Sequence, residues 1–161
     1  MARRELEAPI TLSIWDRLPD LEPGMSSDRV LSRHQAFQQL KDSVRRNLEW
    51  ILNTRQDAEP PPEGAKYLEK SLYNYGLPDM SSFALKSVAD QNRLLKMLET
   101  TVAAYEPRLM NIRVIMDPPT SNVQALHFQI QGLLRVDPAP ERIAFDTMLE
   151  VTSGTYQVEG T

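Results

Sequence analysis

Two stretches of the chain place apolar residues at helical spacing. The first runs from Ser32 to Asn53, and its apolar positions recur every three or four residues, so they form one stripe along a helix. Asn53 suits the end of this helix, because asparagine tolerates the left-handed backbone conformation often found there. The stripe consists of Phe37, Leu40, Val44, Leu48 and Ile51.

A second helix is predicted from Ser82 to Tyr105, with Ser81 or Ser82 as its N-cap. Between the two helices, three consecutive prolines at 60–62 cannot continue a helix, and Gly76 can adopt a positive φ. This connection is therefore predicted to be a loop. The inward face of the second helix comprises Leu85, Val88, Leu95, Leu98, Val102 and Tyr105.

Beyond Pro107 the apolar period changes from helical to alternating, which is typical of strands in a small antiparallel sheet. Because the helices come first and the sheet second, we predict an α+β fold, with N-terminal helices packed on a small, mainly antiparallel C-terminal β-sheet. A last short strand covers 156–158. The inward strand positions are Ile112, Val114 and Met116, then Leu126, Phe128 and Ile130, then Ile143, Phe145, Leu149 and Val151.

The 161 residues are enough for one domain with a substantial core, and we assign residues 28–161 to it. Residues 1–27 form a separate N-terminal arm. Its anchors either pack on the main body or dock on a neighbouring protein, and the sequence leaves both interpretations open. The anchors are Ile14, Trp15, Leu18 and Leu21.

Composition excludes several functional classes. The chain has no cysteine, so thiol catalysis and cysteine-based metal sites are excluded. A net charge of −4 provides no general attraction to nucleic acid or anionic lipid. No apolar stretch approaches the ~20 residues of a membrane-spanning helix. We expect a cytoplasmic protein with neither nucleic acid nor inserted membrane as a partner.

Candidate catalytic groups are sparse. His34 and His127 lie far apart in the sequence without a carboxylate cluster beside them. Glycoside hydrolysis needs two carboxyl groups ~5–9 Å apart. Glu106 and Asp117 flank one predicted strand, and the extended chain between them exceeds that distance. We therefore predict no catalytic residue, no metal site and no cofactor.

The triplet Glu106, Pro107 and Arg108 stands where the helical pattern gives way to the strand pattern. The proline disfavours a helical conformation at Glu106, so the helix is expected to end there. In an extended segment, residues 106 and 108 point to the same side. Arg108 can then brace Glu106 locally, or both can face a partner protein. The residues alone support the two roles equally.

Five segments in order resemble the TssE family, the wedge proteins of the bacterial type VI secretion baseplate. This family is homologous to the sheath-initiating wedge proteins of contractile phage tails. The chain departs from the family pattern at Asn47, where the family often has Asp, and at Tyr105, where it often has Phe. The matching segments are "SIWDRLPDLEP", "SVRRNLEWILNTR", "SLYNYGLPDMSS", "YEPRL" and "FQIQGLL".

The resemblance implies a structural role in each wedge of a six-fold baseplate. The implied partners are the wedge scaffold proteins TssF and TssG, with TssK as a further candidate, and the sheath subunits. The resemblance assigns partner contact to Glu106, Pro107 and Arg108. It also implies a sheet edge on which the first sheath ring assembles by strand addition, and we expect this edge in the strands after residue 122, which include the short terminal strand.

Two other functions remain open at this point. Some phage relatives have been labelled lysozyme-like, so a peptidoglycan-cleaving enzyme is the second candidate. The third, which assumes no family, is a generic adaptor that binds a peptide strand at a sheet edge.

Overall fold

The computed structural model describes residues 10–18, 31–57, 59, 61–68, 71–79, 87–117, 125–150 and 152–160. Helices come first and a four-stranded antiparallel sheet follows, so the predicted α+β fold is confirmed. Among the described residues, none of the helices combines the length and the apolar character needed to cross a membrane. The elements are α1 (Ile14–Arg17), α2 (Arg33–Asn53), a 3₁₀ turn (Leu72–Asn74), α3 (Val88–Tyr105), β1 (Leu109–Met116), β2 (Ala125–Leu134), β3 (Glu141–Glu150) and β4 (Thr155–Gly160).

The first long helix, α2, forms almost as the sequence predicts. Ser32 is its N-cap, and it forms a capping box with Gln35 in which each side chain accepts a hydrogen bond from the other residue's backbone N–H. Four of the five predicted stripe residues are buried, and Phe37 is partly buried against the core. The apolar stripe therefore supplies one wall of the core.

The second long helix, α3, starts later than predicted. Its N-cap is Ser87, whose side chain accepts a hydrogen bond from the Asp90 N–H, and the first helical residue is Val88. The predicted start at Ser82 is wrong, and the predicted caps and Leu85 lie outside the described residues. Val88 is 70% exposed, because it lies two turns before Leu95, on a side of the helix that is only partly buried. The buried face is Leu94, Leu98 and Val102.

The sheet is a simple meander in the order β1-β2-β3-β4, with every neighbouring pair antiparallel. The inward positions predicted on β2 are all buried. On β3 the alternation also buries Thr147, which the predicted apolar positions did not include. The predicted inward residue Val151 lies outside the described residues. The inward faces of the strands pack against α2 and α3, and this two-layer arrangement forms one core.

A β-bulge explains the pattern of burial on β1. Leu109 and Val114 are both buried although they are five positions apart, which strict alternation does not allow. The register with β2 shifts between Met110 and Arg113, and Asn111 within this segment has a φ of 53°. Opposite the bulge stands Gly132, where an added Cβ would lie 3.2 Å from the Met110 carbonyl oxygen. The bulge thus turns both apolar residues inward.

The outer edge of β4 is covered by side chains of α2. The Asn53 amide accepts a hydrogen bond from the Tyr156 N–H at 2.8 Å and donates one to the Tyr156 carbonyl at 2.8 Å. Arg45 Nη1 donates to the Val158 carbonyl at 3.2 Å. The expectation of an unpaired edge on the last strand is therefore wrong at these groups, because a side-chain amide takes the place of a neighbouring strand.

Gly76 joins the connecting loop to the end of α2. Its φ is +99°, which confirms the predicted positive φ. The next residue, Leu77, is fully buried and exchanges backbone hydrogen bonds with the segment 54–56. A Cβ added at Gly76 would lie 2.3 Å from the Thr54 carbonyl oxygen. Both backbone conformation and space therefore require glycine here.

We expect Gly76→Ala to lower the free energy of unfolding by about 3 kcal/mol or more, because a positive-φ penalty and a backbone clash add. Gly64→Ala is the matched control, since Gly64 has a φ of +88° but no atom within 4 Å of the added Cβ. The Gly64→Ala change should lower the free energy of unfolding by only about 1–2 kcal/mol. Equal losses for the two variants in urea denaturation would contradict the steric explanation.

Candidate functional site

Glu106 is placed by the end of α3. Its N–H donates to the Val102 carbonyl at 2.8 Å, and its φ and ψ of −121° and 79° leave the helical region. Leaving the α region at this residue agrees with the proline that follows, which disfavours that region for the residue before it. The predicted helix end at Glu106 is confirmed.

The Glu106 carboxylate is fully buried and accepts four hydrogen bonds. Arg108 donates its backbone N–H and its Nε to Oε1 at 3.2 and 2.7 Å, and its Nη2 to Oε2 at 2.7 Å. Asn47 on α2 donates Nδ2 to Oε2 at 2.8 Å. An ionised carboxylate offers about four lone-pair sites. Its full acceptor capacity is therefore used inside the chain.

Arg108 extends this arrangement to α2 and to the N-terminal segment. Its Nη1 donates to Ser43 Oγ at 2.9 Å and lies 4.0 Å from Asp16 Oδ2. Ser43 Oγ donates to the same Asp16 oxygen at 2.7 Å. We call Asp16, Ser43, Asn47, Glu106 and Arg108 the brace cluster. It links residues 10–18, α2 and the α3–β1 junction through one guanidinium group.

Electrostatics within the brace cluster favour the charged forms. Burial alone would raise the pKa of Asp16, but hydrogen bonds from Ser13 and Ser43, with the guanidinium groups of Arg108 and Arg46, hold it below its usual value. Burial would lower the pKa of Arg108, and the Glu106 carboxylate outweighs this and raises it. Both ions therefore remain charged at neutral pH.

These contacts separate the two roles that the sequence left open for the triplet. Glu106 has no exposed surface, so the internal brace is observed. Pro107 is exposed, and the Arg108 side chain keeps 26% of its surface accessible. Contact of Glu106, Pro107 and Arg108 with a partner stays a prediction. Pro107 and the outer side of Arg108 are the parts of the triplet that a partner could reach directly.

The geometry gives little support to carbohydrate cleavage. A glycosidase needs a carboxylic acid with a raised pKa that can reach its substrate. Asp16 has a lowered pKa, and Glu106 is enclosed by its donors. Glu106 and Asp117 lie beyond opposite ends of β1. In the part of the chain that the structure describes, no three His, Asp or Glu side chains are grouped as metal ligands.

Comparison with known families adds an independent observation. Residues 38–139 match the model of the family described as baseplate wedge protein gp25, which covers more than half of the chain. The chain belongs to the baseplate wedge gp25 family. Comparison with curated proteins finds no match. Membership in the family supports a structural role in a baseplate and implies contact with other baseplate components.

Within this member of the gp25 family, the matched segment contains four residues of the brace cluster and begins after Asp16. Sequence reasoning identified Glu106 and Arg108 but missed Asp16, Ser43 and Asn47. A weak signal existed, because Ser43 and Asn47 are small polar residues one helical turn apart beside the apolar stripe of α2. Asparagine at 47 also suits the site, since its amide donates to a buried carboxylate.

We expect Glu106→Gln to lower the free energy of unfolding by about 3–5 kcal/mol, because it removes the nearest counter-charge of Arg108 and turns an amide N–H₂ toward existing donors. Glu49→Gln is the matched control. The Arg45–Glu49 pair is separated by 3.4 Å, and its side chains keep about a third of their surface exposed, so its loss should cost about 0.5 kcal/mol or less. Similar losses in chemical denaturation would show that the Glu106 pair is energetically an ordinary surface pair.

Proposed function

We propose that this chain is a TssE-type wedge protein of a type VI secretion baseplate, which joins the wedge complex to the contractile sheath and initiates sheath assembly by strand addition. The family assignment supports the baseplate role, and the resemblance of the five sequence segments supports the secretion-system type. The proposed wedge partners are TssF and TssG, with TssK as a further candidate. Its location is then the cytoplasm, where the sheath subunits would meet it.

The observation that carries strand addition is the unequal capping of the two sheet edges. Three backbone groups of β4 bond to Asn53 and Arg45 of α2. On β1, among the described residues, one edge group is capped by a side chain: the Val114 N–H, which donates to Glu99 Oε1 at 2.9 Å. The β1 edge therefore has fewer caps for an incoming strand to displace.

The hydrogen-bond pattern identifies the backbone groups of β1 that point away from β2. The Asp117 N–H donates to the His127 carbonyl, so Asp117 pairs with β2. Because pairing residues alternate in an antiparallel ladder, the backbone groups of Met116 and Val114 point away from β2. Those of Met116 have no partner within the described segments. We assign the sheath strand to this part of the β1 edge, in place of the terminal strand.

The triplet supports the other part of the proposal, which is contact with the wedge complex. Pro107 and the outer side of Arg108 lie at the start of β1 and face solvent. The enclosed carboxylate of Glu106 fixes the guanidinium group, so little side-chain entropy is lost when a wedge partner binds it. We propose that Glu106 positions Arg108, and that Pro107 and Arg108 contact the wedge scaffold.

We expect Met116→Pro to abolish seeding of sheath polymerisation, because proline removes an outward N–H without breaking the pairing to β2. Met116→Ala is the matched control, since it removes the same side chain and keeps that N–H. Sheaths formed from purified sheath subunits and the reconstituted wedge complex are counted by electron microscopy. The Met116→Ala variant should seed sheath polymerisation as well as the unchanged protein does.

Equal seeding by the proline and alanine variants would overturn strand addition at β1. If the unchanged protein, in a complete wedge complex, fails to seed at all, the sheath-initiating function itself is wrong. Wedge assembly should persist in both Met116 variants, because residue 116 is at the far end of β1 from the triplet.

A further inference from the structure

Exposed apolar side chains are concentrated around the brace cluster. Ile14, Trp15 and Leu18 on and beside α1 are 77%, 70% and 67% exposed, and Trp50 on α2 is 63% exposed. These are four of the eight large apolar side chains that are exposed among the described residues. Contiguous exposed apolar surface on a globular protein marks an interaction site.

The brace cluster fixes these side chains in place. Asp16 lies between Trp15 and Arg17, and its carboxylate bonds to Ser43 Oγ at 2.7 Å and to Arg46 Nη2 at 3.2 Å. The short helix α1 is thereby held on α2 with its apolar residues outward. Trp50 follows Arg46 by one helical turn on the same side of α2. The apolar residues therefore flank a guanidinium group.

Charge is distributed unequally between the surface and the interior here. The two carboxylates are withdrawn, because Glu106 is fully buried and the Asp16 side chain is 8% exposed. The two guanidinium groups remain accessible, with side-chain exposures of 60% for Arg46 and 26% for Arg108. A partner would therefore meet apolar groups and the guanidinium groups of Arg46 and Arg108 at this surface, with the two acids of the brace cluster behind them. Asp42, one helical turn before Arg46, is an exposed acid at its margin.

We propose that Ile14, Trp15, Leu18, Arg46, Trp50 and Arg108 form a docking surface, the arm surface, for an acidic, apolar-bearing polypeptide segment of a wedge partner. Carboxylates of that segment pair with Arg46 and Arg108, and its apolar side chains cover the tryptophans. Tryptophan and arginine are the residue types that dominate binding energy at protein interfaces. The arm surface is continuous with the triplet through Arg108, and the inference rests on the proposed wedge function.

The arm surface contains both tryptophans of the sequence, which provides a direct probe. The full-length chain labelled with 5-fluorotryptophan should give two fluorine resonances that are exposed to solvent, assigned with Trp15→Phe and Trp50→Phe. Adding the purified TssF–TssG scaffold, which is unlabelled, should shield both resonances from solvent. If the tryptophan resonances are already shielded in a dilute solution of the isolated chain, another part of the same chain covers the arm surface. If their shielding increases with the concentration of the isolated chain, a second copy of the chain covers it. Either result overturns the proposal.

Affinity for the same scaffold separates the apolar and charged contributions. Trp15→Ala should weaken binding about 30-fold, as expected for an interface hot spot. Tyr67→Ala is the control, because Tyr67 is 96% exposed and lies outside the arm surface. Arg46→Gln should weaken binding about tenfold and reduce its salt dependence, whereas Arg142→Gln on β3 should change neither.

The outcomes distinguish this inference from the proposed function. If the unchanged chain does not bind the scaffold, the wedge function fails. If it binds while the tryptophan resonances stay exposed, or Trp15→Ala binds as tightly as Tyr67→Ala, the arm surface alone is wrong. Melting temperatures of the variants confirm that the fold is retained, since Trp15 contributes mostly exposed area.

Discussion

A buried carboxylate constrains the whole molecule. Glu106 has no exposed surface, and an ion in that position is stable only when a counter-charge and a full set of donors surround it. The Arg108 guanidinium and the Asn47 amide provide them. These bonds join the end of α3, the start of β1 and α2 at one point. The same guanidinium group then holds the N-terminal segment through Ser43 and Asp16.

The sheet edges show a second consequence of helix placement. The side chain of Asn53 imitates a neighbouring strand by both accepting from and donating to Tyr156. An exposed strand edge is a site for unwanted association, and α2 protects β4 against it. In the described part of the chain, the β1 edge is protected by the Glu99 carboxylate and by the bulge at Asn111. The two ends of the sheet are therefore chemically different, which suits a protein that would accept a strand at one side only.

Local patterns predicted much of the fold. The stripe of α2 and the alternation of β2 depend on residues close in sequence, so periodicity identified them. The start of α3 was misplaced, because the sequence offers several serines as caps and the N-cap of α3 is Ser87. The bulge escaped detection, since Gly132 approaches the Met110 carbonyl oxygen only across the β1–β2 pair, where the register shifts.

The candidate site was predictable only in part, for the same physical reason. Glu106 and Arg108 are two residues apart. Because a proline lies between them, the end of the helix at Glu106 could be predicted from the sequence. Asp16 and Ser43 are brought to them by tertiary packing across 27 residues and more, which no local pattern encodes. The choice between brace and docking point also depended on burial. Full enclosure of the Glu106 carboxylate shows the brace, while Pro107 and Arg108 keep accessible surface and partner contact of the triplet stays a prediction.

The most direct test of the central claim is the coupling free energy between Glu106 and Arg108 in a double-mutant cycle. Unfolding is measured by urea denaturation for Glu106→Gln, Arg108→Met and the combined variant. If the pair is a mutually dependent buried brace, the combined loss should fall short of the sum of the single losses by about 2 kcal/mol or more. Losses that add to within about 0.5 kcal/mol would contradict the claim that this pair holds the structure together.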